Sequence, residues 1–305
     1  MADFQIGETV SSNSSNVLPP ARHSPRCEME TTSSMTLQNT TNDPADGRTL
    51  LRRTGLIWYL TAAIGQLAFV WMIIAHYGAK TVSGNYPGWN DKPIIKGYVA
   101  GDVAGNILFA VHVLLAAVVT FGGLLQLIPA IRSRLPALHR WNGRLFLVIA
   151  YVMAIDGLWM TWVRRTYLSV ISGIAVSVDG VLILIFASIA WRLAAKRQID
   201  AHRRWAMRTF MVVNGVWFLR VGIMGWVLVA QARAGLTKDM SGPVDIALEF
   251  GSFLIPLIVL EFYFLAQRSS SALSKRLVSG LVLLMTAFMA VGIGGAVAFM
   301  WGPYM

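Results

Sequence analysis

From residue 51 onward, long apolar stretches alternate with short polar ones. Seven of the apolar stretches are long enough to span a bilayer, at 55–76, 105–129, 141–163, 167–191, 205–231, 246–267 and 277–301. A helix rises ~1.5 Å per residue, so a ~30 Å hydrocarbon layer needs about 20 apolar residues. The pattern predicts an all-α integral membrane bundle of seven transmembrane helices over residues 51–305. Residues 1–50 are a different material, with "SSNSSN" and "TTSSMTLQNTTND" rich in Ser, Thr and Asn. Such a segment buries too little surface to offset its ordering entropy and is expected to be a disordered cytoplasmic tail. Met29 and Met35 are alternative starts. The apolar run after Arg53 is too long for a cleaved signal peptide and lacks a clear small-residue cleavage site, and "LRRT" is only a weak twin-arginine match.

Composition strengthens the membrane reading. The 305 residues are 55% hydrophobic and 13% charged, about half the charge of a soluble domain, with a mean hydropathy of +0.57. The net charge of +11 would suggest nucleic acid if it were clustered on a soluble face, but it follows the span ends. Arg48, Arg52, Arg53, Arg132, Arg134, Arg140, Arg144, Arg192, Lys196, Arg197, Arg203, Arg204, Arg208, Arg268, Lys275 and Arg276 fall on one side. Only Lys80, Lys92, Lys96, Arg164, Arg165, Arg233 and Lys238 fall on the other. Basic residues are retained in the cytoplasm. The N-terminus is therefore expected inside and the C-terminus outside, in a cell membrane, with lipid and not nucleic acid as the partner. The single cysteine, Cys27, permits no intramolecular disulfide and no cysteine-based metal site.

Two basic boxes open the third and fifth spans: "HRWNGR" from His139 and "HRRWAMR" from His202. With an offset of 64 residues, Arg140, Trp141 and Arg144 superpose on Arg204, Trp205 and Arg208, and Trp162 on Trp226. The two spans read as an internal repeat, common in multi-spanning proteins. Trp prefers the membrane interface and Arg the cytoplasmic side, so Arg140, Trp141, Arg144, Arg204, Trp205 and Arg208 form an expected interfacial collar. Such a collar can grip anionic lipid head groups.

The same superposition puts Asp156 on Arg220, at matched depth. An unpaired charge there costs at least ~2.5–3.5 kcal/mol, so an ion pair or a wet cavity is expected. With Gln126, Asp179, Glu261 and His112, these groups could form one polar column through the bundle. Packing alone is the competing explanation.

A b-type haem needs axial ligands at one depth on neighbouring helices. His139 with His202, and less well His76 with His112, could supply them, with the box arginines on the propionates. Zinc hydrolysis is disfavoured, because no His-x-x-x-His or Glu-x-x-His pair occurs on a span. "GIGGAVAF" near Gly292 reads as close helix packing and not as a phosphate loop.

His112, Gln126, "HRWNGR", "HRRWAMR", Arg220 and Glu261 together resemble a bacterial family of predicted multi-spanning membrane proteins, a domain of unknown function. The resemblance runs from about residue 106 to 264 and departs at Ala206 and Met207, where the family pattern has Met then Ile. It implies that these polar positions belong to one pattern, in the inner membrane of a bacterium, and implies no reaction. The layout distantly resembles two-haem cytochromes and ferric-reductase membrane domains, by analogy of fold alone. The leading specific expectation is b-type haem electron transfer. A carrier of protons or a small solute, and a non-catalytic lipid-interacting protein, are the alternatives.

Overall fold

A computed structural model describes residues 44–92, 96–231 and 234–305. Apart from residues 44–50, the expected disordered tail lies outside the described residues. So does Cys27. The first helix begins at Pro44, six residues before the expected boundary, so Arg48, Arg52 and Arg53 are helical.

Eight principal helices follow one another: α1 Pro44–Met72, α2 Val103–Leu127, α3 Pro136–Trp162, α4 Val170–Ala195, α5 Ile199–Val213, α6 Gly215–Val229, α7 Pro243–Arg268 and α8 Ala272–Gly295. No strand occurs among the described residues. Six helical stretches are long and apolar enough to cross a membrane, and α5 with α6 forms a seventh, bent by 54°. The expected continuous span at 205–231 is therefore broken. Asn214 is the cause: its Nδ2 donates to the Phe210 carbonyl at 2.8 Å and its Oδ1 accepts from Gln66 Nε2 at 3.0 Å. A side chain that takes over a helical carbonyl competes with the backbone ladder. Its repeat counterpart, Ala150, has no such group, and α3 runs unbroken.

Local chemistry sets the helix ends. Asp102 caps α2 by accepting from Gly105 N–H at 2.9 Å, and Ser169 caps α4 through Ser172 N–H at 3.1 Å. Prolines open α1, α3 and α7, where their missing N–H costs nothing. The first and last helical stretches exceed a bilayer, at 36 residues for Gly47–Val82 and 33 for Ala272–Tyr304. Each takes a π-helical turn near its end, Ile73–Gly78 and Ala296–Trp301.

Neighbours in sequence pack as neighbours in space from α1 to α5, and α8 closes the bundle between α1 and α6, while α7 lies against α4, α5, α6 and α8. The α6–α8 approach is close: a Cβ on Gly292 would stand 2.2 Å from the Val221 carbonyl oxygen. That bears out the packing role read for the glycine run. The arginine-rich ends gather at one face of the bundle, here the basic end. The opposite, far end is an aromatic plug in which Phe69 meets Trp301 at 5.3 Å and Trp89 meets Phe109 at 5.6 Å.

Candidate functional site

Of the expected intramembrane polar groups Asp156 and Asp179 are buried, Glu261 is half-exposed, and the set does not form one column. Asp156 does not pair with Arg220. Its Oδ2 lies 3.0 Å from His112 Nδ1 across the α2–α3 seam, with Asp156 buried. Arg220 turns the other way. Its Nη1 donates to the Val216 carbonyl at 3.2 Å, and its guanidinium lies 5.4 Å from the Phe69 ring centre. Matched depth on repeated helices does not fix azimuth, and the bend at Asn214 rotates α6 away from the direction α3 takes.

Glu261 belongs to a third place. It accepts two parallel hydrogen bonds from Arg208, Nε to Oε1 at 2.6 Å and Nη2 to Oε2 at 2.9 Å. Such a fork-on-carboxylate pair is among the stronger polar contacts available. Arg208 also sits over Trp205 at 4.7 Å and Phe264 at 5.6 Å. The second box is thus partly internal and not a lipid-facing collar: Trp205 packs on Phe186 at 5.2 Å. The first box keeps the collar geometry, with Arg144 over an exposed Trp141 at 5.0 Å. The cation–π step from Trp to the Arg three residues on recurs in both boxes. Gln126 donates to the His139 carbonyl at 3.1 Å and ties α2 to the start of α3.

The four histidines fall in different surroundings. His76 does not end a helix; it is buried in the π-helical turn between Tyr77 and Tyr304, ring centres 4.7 and 5.3 Å away. His112 is committed to Asp156. His139 and His202 do lie within electrostatic reach of each other. His202 Nδ1 is 2.9 Å from the Ala190 carbonyl, which leaves Nε2 for another partner. None of the four lines either cavity described below. A porphyrin needs open room between its two axial rings, and neither of these two cavities supplies it beside the histidines.

A space large enough for a small molecule lies elsewhere. A cavity of about 860 Å³ runs between α1, α5, α6, α7 and α8, within the roughly 300–1,000 Å³ range of small-molecule sites. Trp58, Met207, Met211, Phe218, Val221, Leu260, Met285, Phe288 and Met289 make its wall. Its few deep hydroxyls are turned to backbone carbonyls: Tyr59 to Leu124 at 3.2 Å and Ser252 to Glu249 at 2.7 Å. Pro256 also lines it, and its missing N–H interrupts the α7 ladder there. At the basic end the lining becomes polar, with Asp200, Arg203, Arg204, Gln267 and Arg268. Arg203, Arg204 and Arg268 make no ion pair among the described residues.

Sequence reasoning missed the partner of Asp179. Asp179 and Glu249, both buried, line a second cavity of about 20 Å³ with Gly215. Glu249 sits three residues into an expected apolar run, so it passed as a boundary residue. The far-end loop chemistry was also missed. Arg164 Nε donates to Asp102 at 2.8 Å and Nη2 to Asn106 at 2.8 Å. The Asp102 carboxyl is held below its ordinary range, first by the Gly105 N–H and then by Arg164. Lys92 reaches inward to Met72 Sδ at 3.0 Å and over the Tyr304 ring at 4.8 Å. Burial, then Arg220 and Lys80, push its ammonium down to about 8.

The fold and these internal polar groups define a polytopic α-helical membrane protein with a half-open apolar chamber. The chain belongs to the family described as predicted membrane protein (DUF2306), whose model matches residues 109–264. No curated protein and no solved structure matches the chain. The match runs from α2 to α7 and so takes in both boxes, the His112–Asp156 and Arg208–Glu261 pairs and most of the chamber wall.

Proposed function

We propose that this protein binds an anionic amphiphile with one long apolar chain, drawn from the surrounding bilayer. The observation that carries the reading is the chamber itself: a half-open apolar space whose basic end is edged by three arginines that make no ion pair among the described residues. An apolar chain would displace nothing polar from the wall, because the deep hydroxyls are already bonded to backbone. A carboxylate or phosphate head would meet Arg203, Arg204 and Arg268, whose planar forks suit oxyanions. The lysine and arginine bias supports placing this mouth at the cytoplasmic face of a bacterial inner membrane. The expected grip of Arg204 on anionic lipid head groups becomes one part of this mouth.

Native mass spectrometry of the detergent-purified full chain tests this, with lysophosphatidic acid and lysophosphatidylcholine as probes. The anionic probe is expected to give a retained 1:1 adduct and the zwitterionic probe a weaker one. Gly222→Leu, which fills the chamber, is expected to abolish it. A would-be Cβ there meets only Leu248 Cδ2, at 3.4 Å, so the backbone need not move. Equal adducts for both probes, or an undiminished adduct in Gly222→Leu, overturn the reading.

A further inference from the structure

The second cavity holds a different chemistry. Asp179 is 7% exposed and Glu249 3%. Asp179 Oδ1 and both Glu249 oxygens have no hydrogen-bond partner. The two residues come from α4 and α7 and line the same space of about 20 Å³, with Gly215, Val216, Leu219, Ser252 and Phe253. That is room for roughly one water molecule. An ionised carboxylate is costly in so apolar a place, and two that border one cavity disfavour each other's ionisation.

Among the described residues no cation makes an ion pair with them. Arg220 is the nearest basic residue along α6, but it faces Phe69 and makes no ion pair with either carboxyl. From α7, Asp245 lies one turn before Glu249. It is already held by Thr237 N–H at 2.8 Å, Thr237 Oγ1 at 3.0 Å and Gly242 N–H at 3.1 Å. Ser252 spends its hydroxyl on the Glu249 carbonyl at 2.7 Å, and the α6 residues on this wall carry no charge.

We propose that Asp179 and Glu249 form an intramembrane proton-binding site. Hydronium gives its proton to one carboxylate, leaving a carboxylic acid and a water, for which the shared cavity has room. The site borders the α5–α6 bend through Gly215 and the large chamber through Ser252, which lines both cavities. Proton occupancy is thereby placed where it bears on the helix break. The proposal stands whether or not the chamber takes an amphiphile.

Infrared spectroscopy of the full chain in proteoliposomes tests it. A C=O stretch of a protonated carboxylic acid is expected near neutral pH, sensitive to deuterium exchange and titrating as pH rises. Asp179→Asn and Glu249→Gln should each remove part of it, and the double variant all of that component. In Glu249→Gln the remaining Asp179 band should persist and still titrate, because its burial is unchanged. Either isosteric variant suffices if the other fails to fold by circular dichroism. A band unchanged by both substitutions overturns the proposal. So does a titration displaced by sodium but not by potassium, which would make this a cation site.

Discussion

Gly215 and Asp179 approach so closely that a Cβ on Gly215 would stand 2.4 Å from the Asp179 carboxyl Oδ2. The bend at Asn214 and the buried carboxyl on α4 are therefore one feature, since only a glycine at the start of α6 lets the two helices meet there. Gly215→Ala is expected to cost about 1–3 kcal/mol of stability, as overpacking of a filled site does. Asp179→Ala should relieve most of that cost in the double variant. Thermal unfolding in one detergent, with all four combinations, measures it. Additive losses would separate the two residues.

The Arg208–Glu261 fork predicts coupling of another kind. Arg208→Gln or Glu261→Gln alone leaves a charge beside an apolar wall and should destabilise by about 1.5–3 kcal/mol. The Glu261 side chain is 45% exposed, so its loss should fall at the low end. The double variant should lose less than the sum of the singles, as unfolding in mixed micelles would show.

Asp156 and His112 make a third prediction. Asp156→Leu leaves His112 without its buried acceptor, whereas Asp156→Asn keeps an oxygen for a neutral imidazole. The leucine variant is expected to be less stable than the asparagine variant by about 1–3 kcal/mol, the cost of an unsatisfied buried polar group. Equal stabilities would mean the pair contributes nothing to packing α2 on α3.

Lys92 gives a pH dependence outside the spans. Its ordinary value of 10.5 falls to about 8 in the fold, first through burial. Between those values the unfolded chain holds more protons than the folded one, so this group makes stability rise with pH across that window. Equivalently, its contribution is lost as pH falls from 10.5 to 8. Lys92→Met should flatten the slope of the unfolding midpoint over pH 8 to 10; an unaltered slope would contradict the assignment.

The membrane architecture was legible because hydropathy reports solvent directly: every span required by the apolar runs is present, and the basic residues mark one end. Azimuth was not. Asp156 and Arg220 hold equivalent places in the repeat but face different neighbours, because the chain bends at Asn214, whose side chain shares the Phe210 carbonyl. The Arg208–Glu261 pair joins residues 53 positions apart, a contact no local pattern encodes. Asp179 was identified alone, while Glu249 was absorbed into a span end where charge is unremarked. The chamber, formed by five helices, has no signature in any one of them.

The most direct measurement of the central claim is photo-crosslinking with a fatty acid carrying a diazirine on its chain, in bilayers, followed by peptide mapping. Adducts are expected on chamber residues such as Met211, Phe218, Met285 and Met289, and should be lost in Gly222→Leu. Adducts confined to outward-facing side chains such as Ile64 and Trp71, with the chamber residues unlabelled, would contradict it.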